Sequence, residues 1–354
     1  MQNIKTLLQQ HKKDINTRIS THISQSQYIF GSIGTTTNEA LDRLETFTIG
    51  GKGIRGGLFI LSAEMFGYKQ REVVLDIAAS LELLQSSLLI HDDIMDNDFV
   101  RRGNPSVFAQ YIENGKHIGT ADSLSYGKSM GICIGDIGFF MAMDIASKAL
   151  HNHINRDKLV NKLHKELIIV GLAQMDDVTF AASQKTPEIN EIINMYRYKT
   201  AHYTFSLPLT LGGIIADQTS DTISQLEKLG EYIGLLFQIK DDELSVYGKE
   251  KLTGKPIGSD LRENKKTVLR ALLEKNLSHA EKNQFEKISQ KNITDSDIQY
   301  YLALLEQYQI REKIKNIMQQ YESEATDNIT NLQITQEHKQ ILLALLEYVT
   351  DRTA

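Results

Sequence analysis

The sequence is poor in cysteine, proline and tryptophan. Its 354 residues include 4 prolines, one cysteine and no tryptophan. The lone Cys133 cannot form an internal disulfide or a cysteine metal cage, which favours a reducing compartment and predicts a cytoplasmic protein. Scarce proline and the lack of alternating strand patterns argue against disordered and all-β chains. The formal net charge of -6 lacks the basic excess of nucleic-acid-binding proteins, so no nucleic-acid partner is expected.

Long uninterrupted hydrophobic segments are also missing. The first ten residues contain no apolar core of a secretory signal. The most apolar stretch, 130–146, is interrupted by Asp136 and Asp144 and is shorter than the roughly 20 residues of a membrane span. We therefore predict that 130–146 is a buried helix and that the protein is not an integral membrane protein.

Helical periodicity dominates the rest of the chain. In residues 73–91, apolar side chains recur at three- and four-residue steps, as in an amphipathic helix. The same pattern occupies 159–180, 190–216, 223–248, 297–321 and 335–350. Thr294 and Thr335 are predicted N-caps. The sequence thus predicts a single all-α domain over residues 1–354 with about a dozen helices.

Three polar segments are predicted to connect these helices. Residues 112–127 and 248–264 are glycine-rich and polar, which favours loops. Residues 276–297 are polar and are predicted to form a surface connection.

The strongest chemical feature is the acidic sequence His91-Asp92-Asp93-Ile94-Met95-Asp96 at the end of an apolar helix. Asp92 and Asp96 are four residues apart and project from one helical face. Like charges repel there and are costly to desolvate, so a cation should offset them. Carboxylate oxygens suit Mg²⁺, which takes substrate phosphates as further ligands. The alternative interpretation of this motif is a solvated helix end without a metal.

A second apolar helix, 232–248, delivers another aspartate pair, Asp241-Asp242. Two such elements facing each other across a cavity would hold a metal cluster between them. This pairing is much rarer by chance than either motif alone. The predicted metal-binding residues are Asp92, Asp93, Asp96, Asp241 and Asp242.

Cationic residues accompany the acids in sequence. Residues 50–56 form a glycine-rich turn with two cations, which lacks the Lys-Ser/Thr spacing of a nucleotide P-loop. The basic candidates for anion binding are Lys52, Arg55, Arg101, Arg102, Lys199, Lys255 and Lys265. For the Lys265-Lys266 pair, a solvated surface is the alternative. Metal-binding acids and anion-binding cations together indicate a diphosphate substrate, and the apolar helix interiors indicate an apolar tail.

In combination, these motifs resemble the trans-prenyltransferases, the isoprenyl diphosphate synthases of the polyprenyl synthetase family. They occur in that family's order from about Gly50 to Thr267: the GGKxxRG turn, DDxxD, Arg101-Arg102-Gly103, Gly135-Asp136, Gln174-x-x-Asp177, Tyr198-Lys199-Thr200, Phe237-Gln238 with the second acidic motif, and the GKxxGSD loop. The resemblance implies an isoprenoid-synthase helical bundle around a central cavity, usually a homodimer. It also implies joining of isopentenyl diphosphate to dimethylallyl, geranyl or farnesyl diphosphate with release of diphosphate.

The resemblance further implies a role for each matching residue. Asp92 and Asp96 would bind two Mg²⁺ ions and Asp241 a third, with Asp177 and Asp260 in support. The allylic diphosphate would be bound by Arg101, Lys199 and Lys255, and Lys265 would also bind substrate. Isopentenyl diphosphate would be bound by Lys52, Arg55, Gln85 and Arg102. Lys199, Thr200 and Gln238 would be catalytic, offering oxygen dipoles near the allylic cation.

Product length is implied by the residue five positions before the first aspartate, which is Ser87. A small serine leaves the pocket open, so the floor is expected about one turn deeper, at Leu84 and Leu83. The expected product is geranylgeranyl diphosphate, with farnesyl diphosphate next. Two positions depart from the family pattern: Ser245 replaces a common third aspartate, and Gly53 replaces a frequent arginine.

Three alternatives remain open on the sequence alone. A terpene cyclase ionises similar substrates but needs no second diphosphate site. A metal phosphohydrolase is indicated by His91-Asp92 but would need further histidine ligands. A non-catalytic subunit of a heteromeric synthase would be expected to lack the acidic motifs, both of which this chain keeps.

Overall fold

The computed structural model describes residues 4–248, 259–262, 264–289 and 293–351, and they are almost entirely helical. The first helices are α1 (Ile4–Phe30), α2 (Thr37–Ile49), α3 (Ile54–Met65), α4 (Arg71–Asp96), α5 (Val107–His117), α6 (Ser123–Ala149) and α7 (Arg156–Ala182). Then follow α8 (Ile189–Tyr196), a π-helix (Arg197–Ser206), α9 (Leu207–Ile215) and α10 (Ser220–Tyr247). The last are α11 (Ser259–Arg262), α12 (Val268–Asn276), α13 (His279–Ser289), α14 (Asp295–Gln307), α15 (Ile310–Asn331) and α16 (Gln336–Thr350). The predicted all-α class is confirmed.

The only strands in the described part of the chain are two short ones after α4. β1 (Val100–Arg101) and β2 (Asn104–Pro105) pair antiparallel, with Val100 opposite Pro105. The turn between them contains Arg102 and Gly103, both with positive φ. This small hairpin fixes the position of two predicted substrate-binding arginines next to the acidic end of α4.

Two compact units make up the chain. The first comprises Met1–Val160 and Leu211–Gln218, and the second Asn161–Thr210 and Thr219–Ala354. In the first unit, α4 packs on α3 and α6, and α5 packs on α6. In the second, α10 packs on the π-helix and on α15. That the whole chain acts as one domain stays a prediction.

Most predicted helices are present with slightly wider bounds. The segments 73–91, 159–180 and 223–248 correspond to α4, α7 and α10. The predicted helix 190–216 is one continuous helical stretch whose middle is the π-helix. Both predicted caps are confirmed, because the hydroxyls of Thr294 and Thr335 accept hydrogen bonds from backbone N–H groups three residues later.

Three sequence predictions were wrong. Residues 112–127 are largely helical, because Gly115 and Gly127 allow α5 and α6 to pack closely instead of forming a loop. The predicted helix 297–321 breaks at Gln309, which has a φ of 51°. The predicted surface connection 276–297 contains the helix α13.

The expected burial of residues 130–146 is only partly observed. By length and composition alone, α4 and α6 could each cross a membrane, but 67% of the most apolar window of α4 is buried, as in a core helix. In α6 that share is 39%, and Phe140 is 73% exposed. One side of α6 is therefore an apolar surface within its own unit.

Two glycines of α10 allow the π-helix to approach. A Cβ added to Gly230 would lie 2.4 Å from Ser206 Cα, and one on Gly234 would lie 2.3 Å from Ala201 Cα. These distances are far inside van der Waals contact, and the obstructing atoms are backbone. The α10 glycines are therefore required by this packing.

We expect Gly230→Ala to lower the free energy of unfolding by about 1–3 kcal/mol, because the added methyl forces the backbones apart. The matched control is Gly171→Ala in α7, where an added Cβ meets no atom within 4 Å. That control should raise the free energy of unfolding by about 0.5–1 kcal/mol through helix propensity. Urea unfolding measures both, and equal effects of the two substitutions would contradict the close approach.

Candidate active site

One face of α4 is open and carries the first acidic motif. The half-exposed or exposed positions Gln85, Leu88, Leu89, Asp92 and Asp96 follow three- and four-residue steps. Asp93 and most of the intervening positions before it are buried, whereas Ile94 is half-buried and Met95 is exposed. Gln85 and two of the predicted metal ligands therefore share one side of the helix, with two leucines between them.

Asp93 instead pairs with an arginine of the hairpin. Its Oδ1 accepts a hydrogen bond of 2.7 Å from Arg101 Nε, and Asp93 is fully buried. Burial raises the pKa of Asp93 to about 6, although Arg101 opposes this rise. Arg101 also lies 3.2 Å from Asp98. Asp93 thus orients Arg101, while Asp92 and Asp96 remain on the open face.

A buried glutamate organises the glycine-rich turn. Glu82 Oε1 accepts a hydrogen bond of 2.8 Å from Gly56 N, and the charges of Arg55 and Arg102 both act on Glu82. Burial raises the pKa of Glu82, and these donors and cations lower it. Arg102 Nη1 also donates to the carbonyl of Phe47 at 2.8 Å. Two residues predicted to bind the same diphosphate therefore interact electrostatically with one carboxylate.

The backbone conformation at position 53 explains why glycine occurs there instead of arginine. Gly53 is the N-cap of α3 with a φ of 67°, and an added Cβ would lie 3.1 Å from Lys12 side-chain atoms. An arginine there would be strained in this left-handed conformation. The neighbouring Lys52 is exposed.

The second unit places Lys199 and Asp177 together. Lys199 lies in the π-helix, and its Nζ donates a hydrogen bond to Asp177 Oδ2 on α7. Both side chains are about one quarter exposed, so the pair is accessible from solvent. The motif spacing alone contained no information on this contact.

A hydrogen-bonded chain connects three further predicted residues. Thr200 Oγ1 donates to Gln238 Oε1 at 2.9 Å, and Gln238 Nε2 donates to Asp242 Oδ1 at 3.0 Å. Tyr196 OH donates to the other Asp242 oxygen and accepts from Val268 N at 3.3 Å. Asp242 is buried, whereas Asp241 beside it is exposed. Asp242 thus anchors Gln238 and Thr200, and Asp241 is the solvent-exposed carboxylate of this motif.

A cluster of charged side chains connects the π-helix to α7 and α10. His202 Nδ1 lies 3.3 Å from Glu166 Oε2 on α7, and its Nε2 lies 3.5 Å from Glu231 Oε2 on α10. Burial alone would lower the pKa of His202, but the two glutamates raise it to about 9. Arg197 donates to Glu231 at 2.6 Å. His202 is therefore protonated at neutral pH and forms ion pairs with both glutamates.

Glu166, His202 and Glu227 also have the spacing of a metal site, with ligand atoms within 4.8 Å of one another. However, Lys162 Nζ already lies 2.9 Å from Glu166 Oε1 and 2.7 Å from Glu227 Oε1. A protonated imidazole has no lone pair for a metal. Lysine and histidine supply the positive charge here, so this group is structural.

The α4 and α10 carboxylates fit Mg²⁺ better. Asp92, Asp96 and Asp241 present only oxygen donors on half-exposed or exposed helix positions. Such donors leave room for water and for phosphate oxygens, as Mg²⁺ requires. Asp93 and Asp242, predicted with them, are buried and bonded to Arg101, Gln238 and Tyr196.

The predicted chain-length residues lie inside the packing of α4. Ser87, Leu84 and Leu83 are fully buried, and Ser87 Oγ donates to Leu83 O at 3.0 Å. A Cβ added to Gly138 of α6 would lie 2.3 Å from Ser87 Oγ. Ser87 therefore faces α6 rather than the open side that carries Asp92.

Four further residues of the sequence analysis lie between positions 245 and 265. Lys255 lies outside the described residues, and for Asp260 the structure describes only the backbone, in α11. Lys265 and Ser245 are half-buried.

Sequence reasoning missed Glu82, Tyr196 and His202. Glu82 had a signal, because it is a charged residue in the middle of the apolar run 77–90. Tyr196 and His202 had none, because their partners lie 46, 36 and 29 residues away in sequence.

Comparison with known proteins identifies the family to which the chain is similar. The polyprenyl synthetase family model matches residues 38–305. A short chain isoprenyl diphosphate synthase of Methanocaldococcus jannaschii is 34% identical over 72% of each chain. A geranylgeranyl diphosphate synthase of Saccharolobus solfataricus is 36% identical over 63% of this chain and 62% of its own length. Other relatives are named farnesyl and geranylfarnesyl diphosphate synthases.

A solved structure extends the similarity over the whole fold. The geranylgeranyl pyrophosphate synthase of Corynebacterium glutamicum, in complex with isoprenyl diphosphate and magnesium, has a TM-score of 0.91. It is 27% identical, and the match covers 98% of this chain and 99% of that one.

Proposed function

The chain belongs to the polyprenyl synthetase family, and we propose that it extends an allylic diphosphate by condensing it with isopentenyl diphosphate. The reaction is a prenyl transfer that releases diphosphate. The proposal is supported above all by the open face of α4, where Gln85, Asp92 and Asp96 are aligned along one side. Geranylgeranyl diphosphate is the proposed product, with farnesyl diphosphate next.

The first step of the proposed reaction is ionisation of the allylic C–O bond. Bound at Asp92, Asp96 and Asp241, Mg²⁺ would supply the charge that stabilises the departing diphosphate. We propose three ions per site. Asp93 would keep Arg101 oriented towards the same diphosphate, and Asp177 would do so for Lys199. Lys255 and Lys265 are proposed to bind this diphosphate, with Asp260 in a supporting role.

The second diphosphate, that of isopentenyl diphosphate, is assigned to the basic turn of the first unit. Arg55 and Arg102 both interact electrostatically with the buried Glu82. Lys52 and Gln85 complete the proposed set. A cyclase has no use for a second diphosphate site, so this cluster favours the synthase over a cyclase.

The allylic cation needs an electron-rich neighbour and protection from water. Asp242 polarises Gln238, and Gln238 accepts the hydroxyl proton of Thr200 in a hydrogen bond. This chain leaves lone pairs of Thr200 Oγ1 free to face a positive charge. After the isopentenyl double bond attacks, a proton leaves to the released diphosphate, so no protein base is required.

The tail of the growing chain is proposed to follow the open face of α4. Leu88 is four residues before Asp92, on the same side of the helix, and it is half-exposed. Leu88→Phe is therefore expected to shorten the main product by at least one isoprene unit. Resolving product chain length by mass spectrometry measures this.

Ser87→Phe separates the two assignments of the pocket floor. If Ser87, Leu84 and Leu83 line the floor, the substitution shortens the product without loss of stability. Because Ser87 faces Gly138, we instead expect that Ser87→Phe lowers the free energy of unfolding by about 1–3 kcal/mol through overpacking. Unchanged product length in both variants would refute a floor on α4.

We also propose a cytoplasmic homodimer. Its support is the apolar surface of α6, where Ile132, Ile137 and Phe140 are exposed. A second copy covering this surface would bury it from water. Light scattering on the purified protein should give twice the mass of the chain, and Phe140→Asp should shift it towards monomer.

The experiment that tests the proposal is an assay with Mg²⁺, isopentenyl diphosphate and each allylic primer in turn. Elongated prenyl diphosphates support it, and their lengths identify the primer and the product. A hydrocarbon formed without isopentenyl diphosphate would indicate a cyclase. Folded protein that elongates none of the primers would indicate a non-catalytic subunit.

A further inference from the structure

The second unit contains a cleft separate from the residues assigned above. It has a volume of about 690 Å³ and lies among the end of α7, the start of α8, and helices α12 and α13. Among the described residues, its lining carries five cationic side chains and three carboxylates: Lys185, Lys266, Arg270, Lys275 and Lys282, with Glu188, Glu274 and Glu286. The lining thus has an excess of positive charge.

Two of these cations are buried side by side. Lys266 and Arg270 are each 4% exposed. Lys266 Nζ lies 3.2 Å and Arg270 Nη1 lies 2.8 Å from the same oxygen, Asn264 Oδ1. One neutral amide oxygen therefore serves two positive groups. Asn264 adopts a φ of 54° while it does so.

The carboxylate of Glu274 pairs with Arg270 and not with Lys266. Glu274 Oε1 accepts a hydrogen bond of 2.7 Å from Arg270 Nε and another of 2.8 Å from Thr186 Oγ1. Among the described residues, no carboxylate lies within 4 Å of Lys266 Nζ. Burial and the neighbouring Arg270 lower the pKa of Lys266 to about 8. A buried ammonium without an anion is destabilising, and an anion in the cleft would relieve this cost.

The site differs from the proposed substrate-binding set. Lys265 was assigned to the allylic diphosphate, and it does not line the cleft, whereas Lys266 does. Arg270, Asn264 and Glu274 likewise have no role in the proposed reaction.

We propose that this cleft is a second anion site, which binds an oxyanion of the phosphate class with the Lys266 ammonium as its principal donor. Arg270 assists from the buried end, and the exposed Lys185, Lys275 and Lys282 attract the anion at the rim. Two sources share this chemistry: free diphosphate, and the diphosphate head of a prenyl diphosphate. The anion site itself does not depend on the proposed function.

The test compares wild type, Lys266→Met and the control Lys287→Met. Lys287 is exposed on α13 and does not line the cleft, so both variants lose one positive charge from the same region. Calorimetric titration with inorganic diphosphate in EDTA should show a site that wild type and Lys287→Met share. Lys266→Met should weaken that site about tenfold or more, since a hydrogen bond to a charged group is lost. Binding elsewhere would be equal in all three proteins.

Thermal unfolding gives an independent readout, because Lys266→Met is expected to change stability in opposite ways without and with diphosphate. Without ligand, Lys266→Met should be as stable as wild type or more stable, because a buried unpaired charge is removed. With diphosphate, wild type should gain stability that Lys266→Met does not. Lys266→Gln serves the same purpose if the methionine variant fails to fold.

A second titration with farnesyl diphosphate distinguishes the two sources. Tighter Lys266-dependent binding than that of inorganic diphosphate identifies a prenyl diphosphate, and equal binding identifies the free anion. Equal diphosphate affinity in wild type and Lys266→Met would overturn the proposal. That result would leave the elongation assay unaffected, so the two failures are distinguishable.

Discussion

Asp92→Asn is expected to reduce the rate of prenyl transfer by about 10³-fold while leaving the free energy of unfolding unchanged or slightly higher. Asp92 lies on the open face of α4 with Asp96, and both are proposed to bind the cations that stabilise the leaving diphosphate. Removing its charge lowers the repulsion that Asp92 exerts on the buried Asp93. Single-turnover kinetics with saturating Mg²⁺ and urea unfolding measure the two effects.

Two controls give this prediction its specificity. Asp93→Asn, unlike Asp92→Asn, should lower the free energy of unfolding by about 3 kcal/mol, because Arg101 loses its buried partner. Asp144→Asn changes an exposed aspartate paired with Lys148 on α6, and it should alter stability by less than about 0.5 kcal/mol and leave activity unchanged. Prenyl transfer by Asp92→Asn within tenfold of the wild-type rate would contradict the metal assignment.

His202→Leu is expected to lower the free energy of unfolding by about 3 kcal/mol at pH 7. The substitution removes the cation between Glu166 and Glu231, although Lys162 and Arg197 still pair with these glutamates. The same size follows from the pKa of His202, raised from 6.5 to about 9, at roughly 1.4 kcal/mol per unit. His164→Leu, at an exposed position of α7, is the control and should change little.

The pH dependence of this effect has a definite sign. A raised folded-state pKa contributes stability that is fully present below about pH 6.5 and is lost as pH rises through about 9. The groups facing His202 are Glu166, Glu231 and the ring of Tyr198, with Lys162 and Arg197 on the glutamates. The stability difference between wild type and His202→Leu should therefore shrink between pH 7 and pH 10. A difference that is constant over this range would contradict a charged His202.

Periodicity and motif spacing predicted the acidic face of α4 because the spacing of Asp92 and Asp96 is a local property of a helix. The same logic correctly placed α7, α10 and the capped helix starts. It failed at 112–127, where glycine marks close helix packing, a property of two chain segments that the sequence does not identify as neighbours. It also failed at Gln309, where no glycine or proline signals the break.

The sequence did not predict which residues contact those of the candidate site. Nothing near Asp242 in sequence indicates Tyr196, and nothing near Lys199 indicates that a π-helix carries it. Such contacts depend on which helices pack together, and hydrophobic patterns specify faces but not partners. The distinction between the open carboxylates and those that hold Arg101 and Gln238 therefore required the structure.

The most direct test of the account is transfer of labelled isopentenyl diphosphate to geranyl diphosphate by the purified protein, with Mg²⁺ and with EDTA. We expect a longer labelled prenyl diphosphate that requires both substrates and the metal, and that Asp92→Asn fails to form. Elongation that persists in EDTA, or folded protein that transfers no label with the metal present, would contradict it.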